Sequence, residues 1–155
     1  MSKNINACLS HNTDNWRTPS KLYKAFIDNG FIDCFEFCSN YDQTKIDYNN
    51  RLLFINPPFS KMKIYVDWII KQISNNNVVC LLIPSRTDTE YFHKLLDCKP
   101  FIIFIKGRLK YNDSNSAPFP SMLLVFNYIS TFPFYFSLNE KELIDYIYSQ
   151  RWSVL

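Results

Sequence analysis

The 155-residue sequence contains only two glycines, Gly30 and Gly107, so it cannot build a glycine-rich turn that brings backbone close to a ligand. It has no apolar run near the roughly 18 residues that a membrane span needs. Its start, Met1-Ser2-Lys3-Asn4, is polar and lacks the apolar segment of a secretion signal. Five cysteines, Cys8, Cys34, Cys38, Cys80 and Cys98, form an odd set with neither metal-ligand pairing nor a histidine-rich neighbourhood. That argues against a disulfide or zinc framework. Reduced, buried thiols in a cytoplasmic setting are expected instead. A strong charge is missing too, since the net +3 is too weak to demand a nucleic-acid partner.

What remains is the composition of an ordinary soluble chain, 47% apolar and 20% charged, long enough for a full core and expected to form one domain over 1–155. The charge is unevenly spread. The first fifty residues hold five basic and six acidic side chains, and the remainder twelve and eight, which permits a basic face in the later part.

The stretch that organises the chain is Phe54-Ile55-Asn56-Pro57-Pro58-Phe59. Neither proline can donate to a ladder, so the tetrapeptide reads as the rigid end of a strand that presents one amide and one ring. The Asn56 oxygen and a proline carbonyl can accept from an exocyclic amine while Phe59 stacks on its ring. A flat, amine-bearing group is the ligand such a shelf suits.

Before this stretch, residues 1–14 read as a polar, flexible arm. Thr18 and Pro19 read as the N-cap and first residue of a helix carrying Leu22, Tyr23, Phe26 and Ile27, with Gly30 as its left-handed stop. Phe31–Cys38 reads as a buried strand, and 39–50 shows no clear element. After it, Ser60 is placed to cap a helix whose stripe is Ile64, Trp68, Ile69 and Ile73. Val78–Ile83 has the continuous apolar character of a parallel strand covered on both faces. Thr87 and Glu90 are spaced as a capping box for the next helix, and Ser137 with Glu140 for a last helix over 137–150. Between these helices, Phe101–Tyr111 and Ser121–Tyr128 are strand-like runs joined by a linker too short for a covering helix, hence an antiparallel hairpin. The alternation predicts an α/β fold with a mostly parallel sheet and an antiparallel edge formed by the C-terminal hairpin. Ligands in such sheets bind beyond the carboxyl ends of the strands, where Glu36, Asn56, Pro84 and Ser85 fall.

Five stretches in order resemble one family: Trp16-Arg17-Thr18-Pro19, Asn56-Pro57-Pro58-Phe59, Leu82–Thr89, Lys106-Gly107-Arg108-Leu109-Lys110 and Ala117–Ser121. Together they resemble the small phage-type DNA N6-adenine methyltransferases, which use S-adenosylmethionine. The resemblance implies a reduced class I methyltransferase (Rossmann-like) sheet and double-stranded DNA as partner, with no membrane. It assigns catalysis to Asn56, Pro57, Pro58 and Phe59, and the cofactor border to Trp16, Thr18 and Pro19.

Glu36, Phe37 and Cys38 would touch the cofactor where class I relatives often carry a glycine-rich turn; Phe37 departs from that pattern. Ser60, Arg86, Lys106, Arg108 and Lys110 are the expected DNA contacts. The last three alternate along a predicted strand and so share one face. Their plainer reading is a solvated edge guarded by lysine. Asp42 and Asp47 are the acidic candidates for ribose hydroxyls, with loop solubility the plainer role. The loops 39–50 and 112–120 are the expected readers of DNA sequence. Two other readings stay open: methylation of RNA or a protein amide, and a non-catalytic homologue that binds DNA or protein.

Overall fold

The computed structural model describes residues 16–35, 42–129 and 134–155; the expected arm at 1–14 and the Glu36-Phe37-Cys38 turn lie outside these. Helix α1 (Ser20–Asp28) leads to strand β1 (Ile32–Asp33). Then come β2 (Leu52–Ile55), α2 (Met62–Ser74), β3 (Val78–Pro84), α3 (Glu90–Asp97), β4 (Phe101–Lys106), β5 (Ser121–Phe126), β6 (Tyr135–Asn139) and α4 (Glu140–Ser149). The six strands form one sheet in the order β1-β2-β3-β5-β4-β6. Among the described residues, the two pairs made by β5 are antiparallel and the other three are parallel.

Alternation along the strands divides the core into two layers. Phe54, Val78, Cys80 and Leu82 pack with Leu22, Phe26, Leu143 and Ile147 of α1 and α4. Leu53, Ile55, Val79, Leu81 and Ile83 pack with Val66, Ile69, Phe92 and Leu95 of α2 and α3. All seven residues of β3 are buried, as its unbroken apolar run predicts. The stop of α1 also follows the sequence. Gly30 at φ +83° lets its N–H reach Ile27 O and that of Phe31 reach Phe26 O, both orphan carbonyls of the helix end.

Several expectations change. The hairpin is antiparallel, but it is not the sheet edge: β5 lies inside, and β6 pairs parallel to β4 beyond it. That outer strand was not foreseen, because Tyr135 and Ser137 face solvent and only Phe136 and Leu138 reach the core. The last helix therefore starts at Glu140, and its capping box is Asn139 with Glu142 rather than Ser137 with Glu140. Strand β4 stops at Lys106, since Gly107 turns the chain at φ +79°. No atom lies within 4 Å of where a Cβ of Gly107 would stand, so the dihedral, not crowding, calls for glycine there. In the described part of 31–38, β1 is only two residues long. Ile64 is 63% exposed, because Met62, Val66 and Gln72 complete the buried side of α2 instead.

Residues 46–51 run along α2 to the amino ends of the strands. Trp68 Nε1 donates to Ile46 O at 2.9 Å, and Asn77 Oδ1 accepts from Arg51 N at 2.9 Å. This part of the loop lies at the rim opposite Asn56. Asp47 accepts from Lys71 Nζ at 2.6 Å, and Asp42 closes its own turn on Thr44, so both carboxylates serve the loop. Among the described residues no helix is long and apolar enough to cross a membrane.

Candidate active site

The carboxyl ends of β2, β3 and β4 meet the amino end of β5 at one rim, because Pro84 pairs with Ser121 and Phe104 with Met122. Asn56 follows β2 there. Pro57 and Pro58 offer no N–H to a neighbouring strand, so the ladder ends and the chain enters a 3-10 turn, Phe59–Lys61. Asn56, Pro57 and Phe59 are buried, whereas Ser60 is exposed within the turn. Ser60 does not cap α2, whose N-cap residue is Lys61.

Asn56 is held from its amide nitrogen. Nδ2 donates to Trp16 O at 2.7 Å and to Thr18 Oγ1 at 3.1 Å. With both amide hydrogens aimed at these acceptors, the solvent-shielded Oδ1 points the opposite way, as the acceptor end of the group. The same contact explains why Thr18 is not the N-cap of α1. Its hydroxyl is engaged by Asn56, and Pro19, extended at ψ 134°, occupies the N-cap position without a side-chain bond. The missing cap comes from another loop: Asp113 Oδ1 accepts from Ser20 N at 2.9 Å. Asn112 completes the clamp, its Oδ1 accepting from Arg17 N at 3.1 Å and its N donating to Arg17 O at 2.8 Å. Both Asn112 and Asp113 have positive φ, which short polar side chains tolerate best.

Four rings close over this shelf. Trp16 meets Tyr111 and Phe119 edge-on, with centroids 5.9 and 5.0 Å apart. Phe59 meets the same two rings at 6.0 and 5.6 Å, nearly perpendicular to both. Phe59 is therefore buried against Tyr111 and Phe119 rather than standing open as a stacking shelf would. These two were not among the expected site residues. Tyr111 looked like part of a strand and Phe119 like part of a polar loop, and only the fold joins them. The Tyr111 hydroxyl lies 2.9 Å from Ser121 Oγ, which ties the start of the loop to its end.

The basic residues lie further out. Arg86, Lys106, Arg108 and Lys110 are all exposed, but Lys106, Arg108 and Lys110 do not share a strand face. Only Lys106 belongs to β4; past Gly107 the chain turns, and Leu109 buries between the other two. Arg86 leaves β3 where Ser85 N donates to Pro120 O at 2.9 Å, beside the same loop. The predicted helix cap at Thr87 does not form, since Thr89 is the N-cap residue of α3 and its hydroxyl bonds Arg86 O at 2.9 Å. Of the Phe31–Cys38 stretch, β1 leaves toward this rim, with Asp33 paired to Phe54.

No side chain of Asn56, Pro57, Pro58, Phe59, Trp16 or Thr18 exchanges protons near neutral pH. The strongly shifted groups are elsewhere: burial pushes the Cys34 thiol up to about 12 and the Cys80 thiol well above its ordinary value. Among the described residues no three His, Cys, Asp or Glu side chains gather as metal ligands would. What the site offers is an oriented side-chain amide and a set of packed aromatic rings.

The chain thus folds as a mixed α/β sheet with an Asn-Pro-Pro-Phe turn at its carboxyl rim. The profile of the family described as DNA N-6-adenine-methyltransferase (Dam) matches residues 6–146, and the chain belongs to that family. Comparison with curated proteins and with solved structures returned no match.

Proposed function

We propose that the protein transfers a methyl group from S-adenosylmethionine to the N6 amine of an adenine in double-stranded DNA, on a reduced class I, Rossmann-like sheet. The observation that carries this reading is the lock on Asn56. Two hydrogen bonds fix its amide so that the donor end is turned to Trp16 and Thr18 and the acceptor end away from them. An adenine N6 lone pair is delocalised into the ring and is a poor nucleophile. Asn56 Oδ1 and the Pro57 carbonyl, accepting its two hydrogens, favour a pyramidal nitrogen and aim its lone pair. Phe59 supplies the stacking surface once the base enters, and this requires Phe119 to give way. Phe119 is half-buried on the loop after Tyr111, which suits a displaceable cover.

S-adenosylmethionine, when bound, supplies an electrophilic methyl carbon on a sulfonium cation. The Trp16 ring, half-buried beside Tyr111 and Phe119, and the neighbouring Thr18 and Pro19 are our candidates for its border. Strand β1 ends at the same rim, and Glu36, Phe37 and Cys38, which follow it in sequence, are our candidates for the rest of the contact. The base must leave the duplex stack to reach Asn56, at a cost of a few kcal/mol. Arg86, Lys106, Arg108 and Lys110 bind phosphates around it, and Ser60 at the turn contacts the same strand. The family's action on DNA makes the cytoplasm its expected place of work.

The test is labelled methyl transfer from S-adenosylmethionine to unmethylated duplex DNA, RNA and protein, with Asn56→Ala alongside. Labelling of duplex DNA that disappears in the variant is the expected result. Labelling of RNA or protein alone would move the substrate, and no labelling together with no calorimetric cofactor binding would sink the enzyme reading.

A further inference from the structure

Beside the rim, α1 and α4 enclose a groove of about 580 Å³. Lys21 and Lys24 line it from α1, and Glu140, Lys141, Ile144 and Tyr148 from α4. The helices run in the same direction. Lys21 and Glu140 face each other at the amino ends, and the Tyr148 hydroxyl donates to Asp28 at 2.7 Å at the carboxyl ends. Both amino ends open at the site. Helix α1 starts two residues after Thr18, which Asn56 holds, and α4 follows Asn139, the sheet partner of Lys106. The groove therefore begins next to the Lys106–Lys110 turn. It continues away from Asn56 by about 5 Å for each helical turn.

Its charge favours an anion. Three ammonium groups line it against one carboxylate, that of Glu140. Two acids offset part of that charge. Asp28 is paired with Lys24 and accepts from Tyr148. Burial first, and then Asp113, hold the Glu140 carboxyl above its ordinary value, against the pull of Lys110 and Lys21. Ile144 and Tyr148 supply the apolar floor that a sugar can lie on.

We infer that this groove seats the sugar–phosphate backbone of the duplex beyond the target base, as a DNA contact separate from the residues around Asn56. The substrate class rests on the methyltransferase reading above. Lysines without arginine make point-charge contacts, so the groove adds affinity and length to the footprint rather than sequence preference.

The experiment is fluorescence anisotropy against salt, using K21Q/K24Q/K141Q and the wild type. Two duplexes are needed, one covering only the target and its nearest neighbours and one extending well past it on both sides. On the long duplex the variant should bind at least about tenfold more weakly, and its log K against log salt slope should fall by about 2–3, near 0.9 per lost contact. On the short duplex it should match the wild type, and K21R/K24R/K141R should restore long-duplex binding. Equal affinity and slope on the long duplex overturn the inference, and so does an equal loss on both. Methyl transfer measured in parallel separates the two readings. A wild type that labels no DNA yet shows the length-dependent loss sinks the activity and keeps the groove. Normal labelling with an indifferent triple variant does the reverse.

Discussion

The side-chain amide of Asn56 donates to the main-chain carbonyl of Trp16 at 2.7 Å, across forty residues of chain. The group we propose as the acceptor of the amine is thus oriented by backbone, which cannot be swapped by mutating Trp16. Asn56→Asp tests this better than alanine does. The carboxylate keeps the shape but loses both donors and sets its lone pairs against those of the Trp16 carbonyl. Asn56→Asp should lose methyl transfer as fully as Asn56→Ala. It should also lower unfolding stability by about 1–3 kcal/mol, the cost of an unmet buried partner, read from denaturant midpoints.

Thr18 separates orientation from packing. Thr18→Val is nearly the same shape and leaves one Asn56 hydrogen without its acceptor. A loss of about 1.4 kcal/mol in the transition state lowers turnover roughly tenfold. Thr18→Ser should recover most of it. Turnover equal in the valine variant and the wild type would remove Thr18 from the site.

Asp113 is the cap of a helix it does not belong to. Asp113→Ala should cost about 1 kcal/mol, in the range of ordinary N-cap losses, while Asp113→Asn should cost less. Hydrogen exchange in the first turn of α1 is the sensitive measurement. Faster exchange at Ser20–Tyr23 is expected in the alanine variant alone.

Burial raises the Cys34 thiol from 9.0 to about 12, and the nearby Asp33 adds to the shift. In the unfolded chain the thiol ionises first, so the folded form is favoured fully below pH 9 and loses ground from there toward pH 12. Up to about 1.4 kcal/mol per pH unit is at stake for one such group. Cys34→Ala should flatten that part of the stability profile relative to the wild type. In acid the sign reverses. The Lys71 ammonium, with Gln72, holds Asp47 below its ordinary value, so the stability it contributes is present above the ordinary carboxylate range and fades as pH falls below it.

Much of this architecture was legible in the residues. Val78–Ile83 announces a strand covered on both faces, Gly30 announces a helix stop, and the linker between the last two apolar runs announces antiparallel pairing. The rim follows from the strand order alone. The sixth strand was not legible, because a strand with one solvent face and five residues, Tyr135–Asn139, has too short an alternation to stand out. Caps were misassigned for a related reason. Thr18, Ser60, Thr87 and Ser137 all have capping chemistry, but Thr18 is recruited by a side chain 38 residues away, and spacing cannot reveal that. Tyr111 and Phe119 were missed because their shared role depends on a clamp between Arg17 and Asn112, 95 residues apart.

The place of β5 between β3 and β4 has a consequence for the chain as it is made. Strand β4 leaves the ribosome before both of its neighbours, β5 and β6, and so has nothing to pair with on emergence. Strand β3 meanwhile keeps an open edge that only Ser121–Phe126 can fill. Tyr111 and Phe119 arrive in the same interval. A nascent chain that ends at Lys106 carries Asn56 without its cover, and the enclosure of the site is timed to the last third of synthesis.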